Sequence, residues 1–236
     1  MQNHIDLIEL EAQIKDCRLC PRLVAWREEI AIKRRRAYQE QVYWGKPVPG
    51  FGDPQAQILA VGLAPGAHGS NRTGRMFTGD ASGNFLYPAL YKAGFGNQPD
   101  SQHLQDGLTL KNLFITALCR CVPPDNKPNP QEITTCKPFL LSELNVLTEI
   151  QVIIALGRIA FTNVIGIYRQ LNHSLPSITS FPFFHGATYP LGDKLPVLIA
   201  SYHPSRQNTQ TGRLTPEMFD NIWISAKNNI SNARSE

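Results

Sequence analysis

The chain has 236 residues, 42% apolar and 18% charged, a composition typical of a globular protein with a sizeable core. It shows neither an apolar run of membrane-spanning length nor a charged segment followed by an apolar leader. We therefore expect a cytoplasmic protein with no membrane partner. The net charge of +4 permits a polyanionic partner without requiring one.

The N-terminal part begins with a predicted amphipathic helix over residues 5–16, where apolar residues recur at helical spacing. Cys17 and Cys20 follow directly in a C-x-x-C-P turn. A basic run at residues 33–36 is either a solvated helix face or a patch that contacts phosphates. A loop rich in proline and glycine, residues 44–52, leads into the core.

Short apolar runs without clean alternation predict strands buried on both faces, at residues 57–64, 112–118, 151–156 and 196–202. Helical patterns follow at residues 85–93, after Asn129, at residues 159–168 and after Thr215. Strands that alternate with helices predict an α/β fold, with a parallel sheet covered by helices on both faces.

A glycine-rich loop, residues 62–83, follows the first buried strand and reads GLAPGAHGSNRTGRMFTGDASG. Glycine lets a backbone turn sharply and approach a ligand closely, and a loop of this length is rarely a mere connection. Ligands of parallel sheets bind at the carboxyl ends of the strands. We therefore expect a binding site here. Residues 70–75 within the loop stay unassigned, with contact to a nucleic-acid backbone as their candidate role.

Asp80 is the loop's carboxylate, and it either caps the following helix or orients a water and faces a developing cation. His203, held by a proline at the end of the last strand, either is structural or donates a hydrogen bond to a developing anion. Phe77 and His68 belong either to the core or to the site, where a planar ring could stack on Phe77.

Residues 205–213 form a second candidate loop, which carries two arginines, many small polar residues and no carboxylate. This composition suits contact with a nucleic-acid backbone, and the length suits insertion into a groove. An exposed, merely flexible loop is the alternative. The residues that would contact DNA are Ser205, Arg206, Gln207 and Asn208.

Five cysteines in a cytoplasmic protein favour a metal site or reactive thiols over a disulfide framework. Cys17 with Cys20, and Cys121 with Cys136, form two pairs of thiolates. Spacing alone leaves both zinc and an iron–sulfur cluster open, although the wide second pair favours the cluster. Cys119 is the spare cysteine, because a lone cysteine on a strand is usually a small buried hydrophobe.

Together these motifs resemble the uracil-DNA glycosylase superfamily, and most closely its type-5 (type b) iron–sulfur members. The resemblance covers residues 17–219 approximately. Its motifs are C-x-x-C-P, the 62–83 loop, RCVPPDNKP with a cysteine downstream, HG before the last strand, and SYHPSRQNTQTGRLTP. Their joint occurrence in this order makes the resemblance specific.

The resemblance implies excision of uracil from DNA by one domain, residues 1–236, with a three-layer α/β/α sandwich around a four-stranded parallel sheet. Residues 1–52 would contribute a helix and two cysteines of a [4Fe-4S] cluster. Asp80 would activate water, and His203 would contact the base. The cluster ligands would be Cys17, Cys20, Cys121 and Cys136. The pocket would be lined by Gly62, Leu63, Ala64, Pro65, Gly66 and His68, with Phe77 stacking on the flipped base.

Two positions depart from the related type-4 enzymes, which are similar in the first motif but carry a glutamate where this chain has Leu63. They also carry an asparagine where this chain has Ala117. Both departures favour type 5 and imply a less selective pocket, so the expected partner is DNA containing uracil or other deaminated bases. We expect a monomer. The alternative from another class is a zinc-containing nucleic-acid-binding module without catalysis.

Overall fold

The structure is a computed structural model that describes residues 6–232. Its strands form one sheet in the order β1-β3-β2-β4-β6-β5. The strand bounds are β1 Phe51–Gly52, β2 Ile58–Gly62, β3 Leu113–Ala117, β4 Val152–Leu156, β5 Thr188–Pro190 and β6 Val197–Ser201. The four inner strands run parallel, which confirms the predicted fold class. The prediction of four strands is corrected to six, because β1 and β5 add short antiparallel edges.

The inner strands are buried because helices cover both faces of the sheet. In β2, Ile58 and Ala60 belong to one apolar core, whereas Leu59 and Val61 belong to the other. A strand that feeds two cores needs apolar residues at every position, so its sequence is an unbroken run. This is the physical reason why the four runs were recognisable.

The helices form the two outer layers. Their bounds are α1 Leu7–Asp16, α2 Pro21–Lys33, α3 Ser70–Thr73, α4 Gly83–Lys92, α5 Pro130–Val146, α6 Arg158–Leu171, α7 Arg206–Gln210 and α8 Pro216–Asn232. Helices α4 and α8 contribute to the core on one face of the sheet, and α5 and α6 to the core on the other. No helix within residues 6–232 has the length and apolar character needed to cross a membrane.

Local signals set several helix ends. The side chain of Asn129 accepts a hydrogen bond from the backbone N–H of Glu132, whose carboxylate accepts one from the N–H of Asn129. With Pro130 at the first helical position, this capping box starts α5 where the sequence predicts it. Helix α1 ends at Asp16 as predicted, whereas its predicted start, Ile5, lies outside the described residues.

The parallel strands bring their carboxyl ends to one edge of the sheet. The chain passes from β2 to β3 on one side, and then crosses to β4 on the other side of β2. Beyond the end of β2 the loops therefore diverge and leave a crevice, which is where open α/β sheets bind ligands. The glycine-rich loop starts at this point.

Candidate active site

A cavity of about 810 Å³ lies at this edge of the sheet. Its wall comes mainly from the glycine-rich loop, together with the segments after β3 and β6 and two residues that follow α2. The predicted site residues that line it are Leu63, Ala64, Gly66, His68, Phe77, Asp80, His203, Ser205, Arg206 and Gln207. Most of the candidates therefore share one space.

Three other candidates lie beside the cavity rather than on its surface. Gly62 and Pro65 are buried and do not contribute to the lining. The side chain of Asn208 donates a hydrogen bond to the backbone carbonyl of His203, at 2.8 Å. Asn208 therefore holds the segment that carries the histidine, while its contact with DNA stays a prediction.

Asp80 uses its two carboxylate oxygens differently. Oδ1 accepts hydrogen bonds from the backbone N–H groups of Ser82 and Gly83, at 3.0 and 3.1 Å, where α4 begins. Oδ2 faces Gly66 and Gly69: a Cβ at Gly66 would lie 2.8 Å from this oxygen, and one at Gly69 would overlap it. Oδ1 therefore supports the backbone where α4 begins, whereas Oδ2 has no hydrogen-bond partner among the described residues. These two glycines are needed because they make room for it.

Burial governs the protonation of Asp80. It raises the pKa of the carboxyl above its ordinary value, although the hydrogen bonds from Gly83 and Ser82 and the charge of Arg72 oppose this. A buried carboxylate that accepts hydrogen bonds from only one side is a strong acceptor on the other. Its free oxygen is thus suited to hold a water or to face a cation.

His203 follows β6 and is neutral at physiological pH. Burial lowers the pKa of its imidazole to about 4, because charging the ring would cost its solvation. A neutral imidazole keeps one N–H group and can donate one hydrogen bond into the cavity. The ring centroid lies 5.9 Å from that of Phe77, at an interplanar angle of 33°.

The segment before His203 is supported from outside the two predicted loops. The backbone N–H of Tyr202 donates to Nδ1 of His185 at 3.1 Å, so Nε2 of His185 carries the proton and donates to the carbonyl of Met218. This bridge ties the end of β6 to α8. The histidine of the HG motif before the last strand therefore supports the segment that carries His203.

Phe77 has a backbone conformation that is rare for an aromatic residue, with φ at 52°. Its ring lies against Gly62, where a Cβ would come within 3.0 Å of Cζ. On one side the hydroxyl of Tyr87 donates to the carbonyl of Met76 at 2.7 Å, and on the other the Phe77 carbonyl abuts Gly83. The surrounding structure therefore fixes the ring as one face of the cavity.

A buried ion pair supports the chain after Phe77. Arg75 binds both carboxylate oxygens of Asp106, at 2.8 and 2.6 Å, and its Nε donates to Oγ1 of Thr78 at 2.9 Å. Thr78 shares a further hydrogen bond with Ser101, at 2.6 Å. Although burial opposes it, the hydrogen bonds from Arg75 and from backbone groups hold the pKa of Asp106 well below its usual range. No periodicity marks Ser101 or Asp106, so sequence reasoning missed them.

Arg72 closes the glycine-rich loop on itself. Its guanidinium donates to the carbonyl of His68 at 2.7 Å and to that of Gly79 at 2.8 Å, and it lies 4.1 Å from the ring centroid of Tyr38. Nδ1 of His68 is hydrogen-bonded to the hydroxyl of Tyr43 at 3.0 Å. Residues 70–75 thus brace the loop, a role that the sequence pattern does not reveal.

The four predicted cluster ligands lie around a second, small cavity of about 10 Å³, to which Cys17, Cys20, Cys121 and Cys136 all contribute. Cys119 is buried but does not line it. Within residues 6–232, no group of three or more His, Cys, Asp or Glu side chains is arranged to hold a metal ion. The thiols therefore surround a common space rather than converge on one point.

Arg27 brings a positive charge to these thiols. Its side chain is 2% exposed, and Nη1 donates to Sγ of Cys121 at 3.0 Å and to the carbonyl of Cys17 at 3.2 Å. Glu28 lies 3.7 Å from the same guanidinium, and Nε has no hydrogen-bond partner among the described residues. A buried cation with an unused donor fits a neighbouring group that carries negative charge, as thiolates bound to iron do.

The site thus combines a carboxylate and a neutral imidazole, which line one cavity at the carboxyl edge of the parallel sheet of an α/β protein. The model of the uracil DNA glycosylase superfamily matches residues 49–227. The chain belongs to this superfamily.

Relatives with curated names agree with this assignment. A type-5 uracil-DNA glycosylase of Thermus thermophilus is 55% identical over 212 residues, which cover 89% of this chain and 92% of that protein. One of Mycobacterium leprae is 49% identical over 93% of both chains. A type-4 uracil-DNA glycosylase of Sulfurisphaera tokodaii is 30% identical over 83% of this chain and 80% of that protein. The comparisons give no support to a zinc module without catalysis.

Proposed function

We propose that this protein hydrolyses the N-glycosidic bond of uracil in DNA and leaves an abasic site. The observation that carries the proposal is the shared cavity, in which the free oxygen of Asp80 and the neutral ring of His203 lie beside the Phe77 face. Relatives at 49–55% identity carry the name of this activity.

Bond cleavage develops positive charge on the sugar and negative charge on the leaving base. Asp80 is suited to the sugar side, where Oδ2 would orient the attacking water and offset the cation. His203 is suited to the base side, where a neutral N–H donor would stabilise the anion without transferring its proton. Each group would interact more strongly with the transition state than with the substrate, which is the condition for catalysis.

The target base must leave the duplex to reach this cavity. Unstacking costs on the order of a few kcal/mol, and stacking against Phe77 would offset part of that cost. Ser205, Arg206 and Gln207 line the cavity and would contact the DNA strand beside the extruded nucleotide.

The lining at Leu63 and Ala117 favours a broad choice of base. Both side chains face the cavity and neither can form a hydrogen bond with a base edge. At these two positions the pocket therefore does not reject a base for want of a matching group. The expected substrates therefore include other deaminated bases besides uracil.

Cys17, Cys20, Cys121 and Cys136 would hold a [4Fe-4S] cluster, whose chemistry here is structural because hydrolysis needs no redox step. What supports the proposal is that these four cysteines, and not Cys119, line one shared space. Arg27 would offset the negative charge of the bound thiolates. The protein would act in the cytoplasm as a monomer, and sedimentation of the pure protein would test the oligomeric state.

A uracil-containing oligonucleotide tests the activity. Incubation with pure protein followed by alkali should cleave the strand at uracil, because alkali breaks the backbone at an abasic site. The same oligonucleotide with cytosine at that position should stay intact, and one with hypoxanthine should be cleaved if the pocket accepts other deaminated bases. If the uracil-containing oligonucleotide stays intact at every enzyme concentration, the proposal is refuted.

Cysteine variants test the cofactor without reference to activity. The wild-type protein should be brown, with broad absorbance at roughly 400 nm, and should contain iron and sulfide. Cys121→Ser should lose this absorbance, whereas Cys119→Ser should keep it, because Cys121 lines the small cavity and Cys119 does not. A colourless wild-type protein with stoichiometric zinc would overturn the cluster assignment.

A further inference from the structure

Three cationic side chains meet at the mouth of the large cavity. Arg35 follows α2, Lys127 lies in the segment after β3, and Arg206 opens α7, so three distant parts of the chain supply them. All three residues are exposed. We call these three residues the rim. The phosphate groups of a nucleic-acid backbone are anions that such a rim could bind.

These cations differ from Lys33 and Arg34, which belong to the same basic run as Arg35. Lys33 pairs with Glu29 at 2.5 Å, and Arg34 donates to the carbonyls of Ala31 and Gln39. By contrast, within residues 6–232 the side chains of the three rim cations take part in no ion pair and no hydrogen bond. Their charges are therefore left for a ligand.

The backbone of each rim residue is anchored although its side chain is free. The N–H of Arg35 donates to the hydroxyl of Tyr43 at 3.3 Å, and the carbonyl of Lys127 accepts from Arg22 at 3.3 Å. Arg206 follows Ser205, whose hydroxyl caps α7. Fixed backbones keep the charges at the mouth and reduce the ordering needed on binding.

The charges at the mouth of the cavity sum to a net positive charge. Asp125 also lines the cavity, so three cations stand against one carboxylate at the mouth. Asp80 lies deeper, where its Oδ1 is occupied by α4. The field at the mouth therefore attracts a polyanion, while the buried carboxylate is left to the chemistry.

We propose that Arg35 and Lys127 bind DNA phosphates and, with Arg206, hold the DNA backbone at the mouth of the cavity. The inference rests on the proposed function for the identity of the ligand. It also divides the basic run at residues 33–36: Arg35 reaches the cavity, whereas Lys33 and Arg34 are occupied elsewhere and Arg36 does not line it.

The salt dependence of binding tests this division. The affinity for a uracil-free duplex would be measured by fluorescence anisotropy between 50 and 200 mM salt, a range in which each phosphate contact contributes about 0.9 to the slope of log K against log salt. Arg35→Gln and Lys127→Gln should each lower the slope by about one. Arg36→Gln is the matched control, since it removes the same charge one residue away and should leave the slope unchanged.

Two results would overturn the proposal. One is a wild-type slope in Arg35→Gln and Lys127→Gln, and the other is an equal fall in Arg36→Gln, which would indicate a diffuse field rather than defined contacts. The readout is independent of excision because the duplex contains no uracil. A protein that binds with the expected slopes but excises nothing would refute the glycosylase proposal and leave the phosphate rim standing.

Discussion

Asp80→Asn should slow uracil excision by about 10²-fold or more and leave the stability of the fold almost unchanged. Asparagine keeps an oxygen that can accept the N–H groups of Ser82 and Gly83, so the start of α4 survives. It lacks the negative charge that would orient water and face the sugar cation. Single-turnover excision rates and thermal unfolding of the same preparations measure the two effects separately.

Two further variants separate the oxygens of Asp80. Asp80→Ala removes the cap as well as the charge, so it should lose about 1 kcal/mol of stability in addition to activity. Gly69→Ala keeps the carboxylate of Asp80, but the added Cβ would overlap Oδ2 and displace that oxygen. Excision should therefore fall. Near-normal excision by Asp80→Asn would refute the water role and leave Asp80 as a helix cap.

His203→Ala should also slow excision by about 10²-fold, because the leaving base would lose its donor in a buried site. The rate of the wild-type enzyme should show no inflection at the ordinary histidine pKa of 6.5, since burial holds the pKa of His203 at about 4. His173→Ala is the control, as this histidine is exposed and lies outside the cavity. The measurement is the single-turnover rate against pH.

The same depressed pKa sets the sign of a stability effect. The folded protein holds fewer protons at His203 than the unfolded chain does between about pH 4 and 6.5. The contribution of this group to stability is therefore complete above pH 6.5 and is lost as the pH falls towards 4.

An inflection in the excision rate near pH 6.5 that disappears in His203→Ala would contradict a neutral histidine.

The parallel strands could be predicted because burial on both faces leaves a continuous apolar run. All five residues of β2 are buried, and none of them has a polar side chain. The edge strands could not be predicted in this way: β5 is Thr188–Pro190, with two exposed residues, and β1 has only two residues. A strand that pairs on one side and faces solvent has no such run to recognise.

The site could be predicted where chemistry and chain position coincide. Asp80 and His203 are polar residues in loops that follow buried strands, so the topology alone brings them to one edge. The partners that hold the loop rigid could not be predicted, because Arg75 meets Asp106 only through tertiary folding. A buried arginine needs an anionic partner such as a carboxylate, but the local sequence does not show which carboxylate that is.

The rigid setting of Phe77 has a consequence for recognition. Its rare backbone conformation is held by Tyr87 on one side and by the Arg75 ion pair on the other before any DNA arrives. The conformational entropy of ordering this face is therefore lost during folding and not during encounter with the nucleotide. With Phe77 in its proposed stacking role, binding would be the entry of a base into a preorganised slot, and it would retain more of the stacking free energy to offset extrusion.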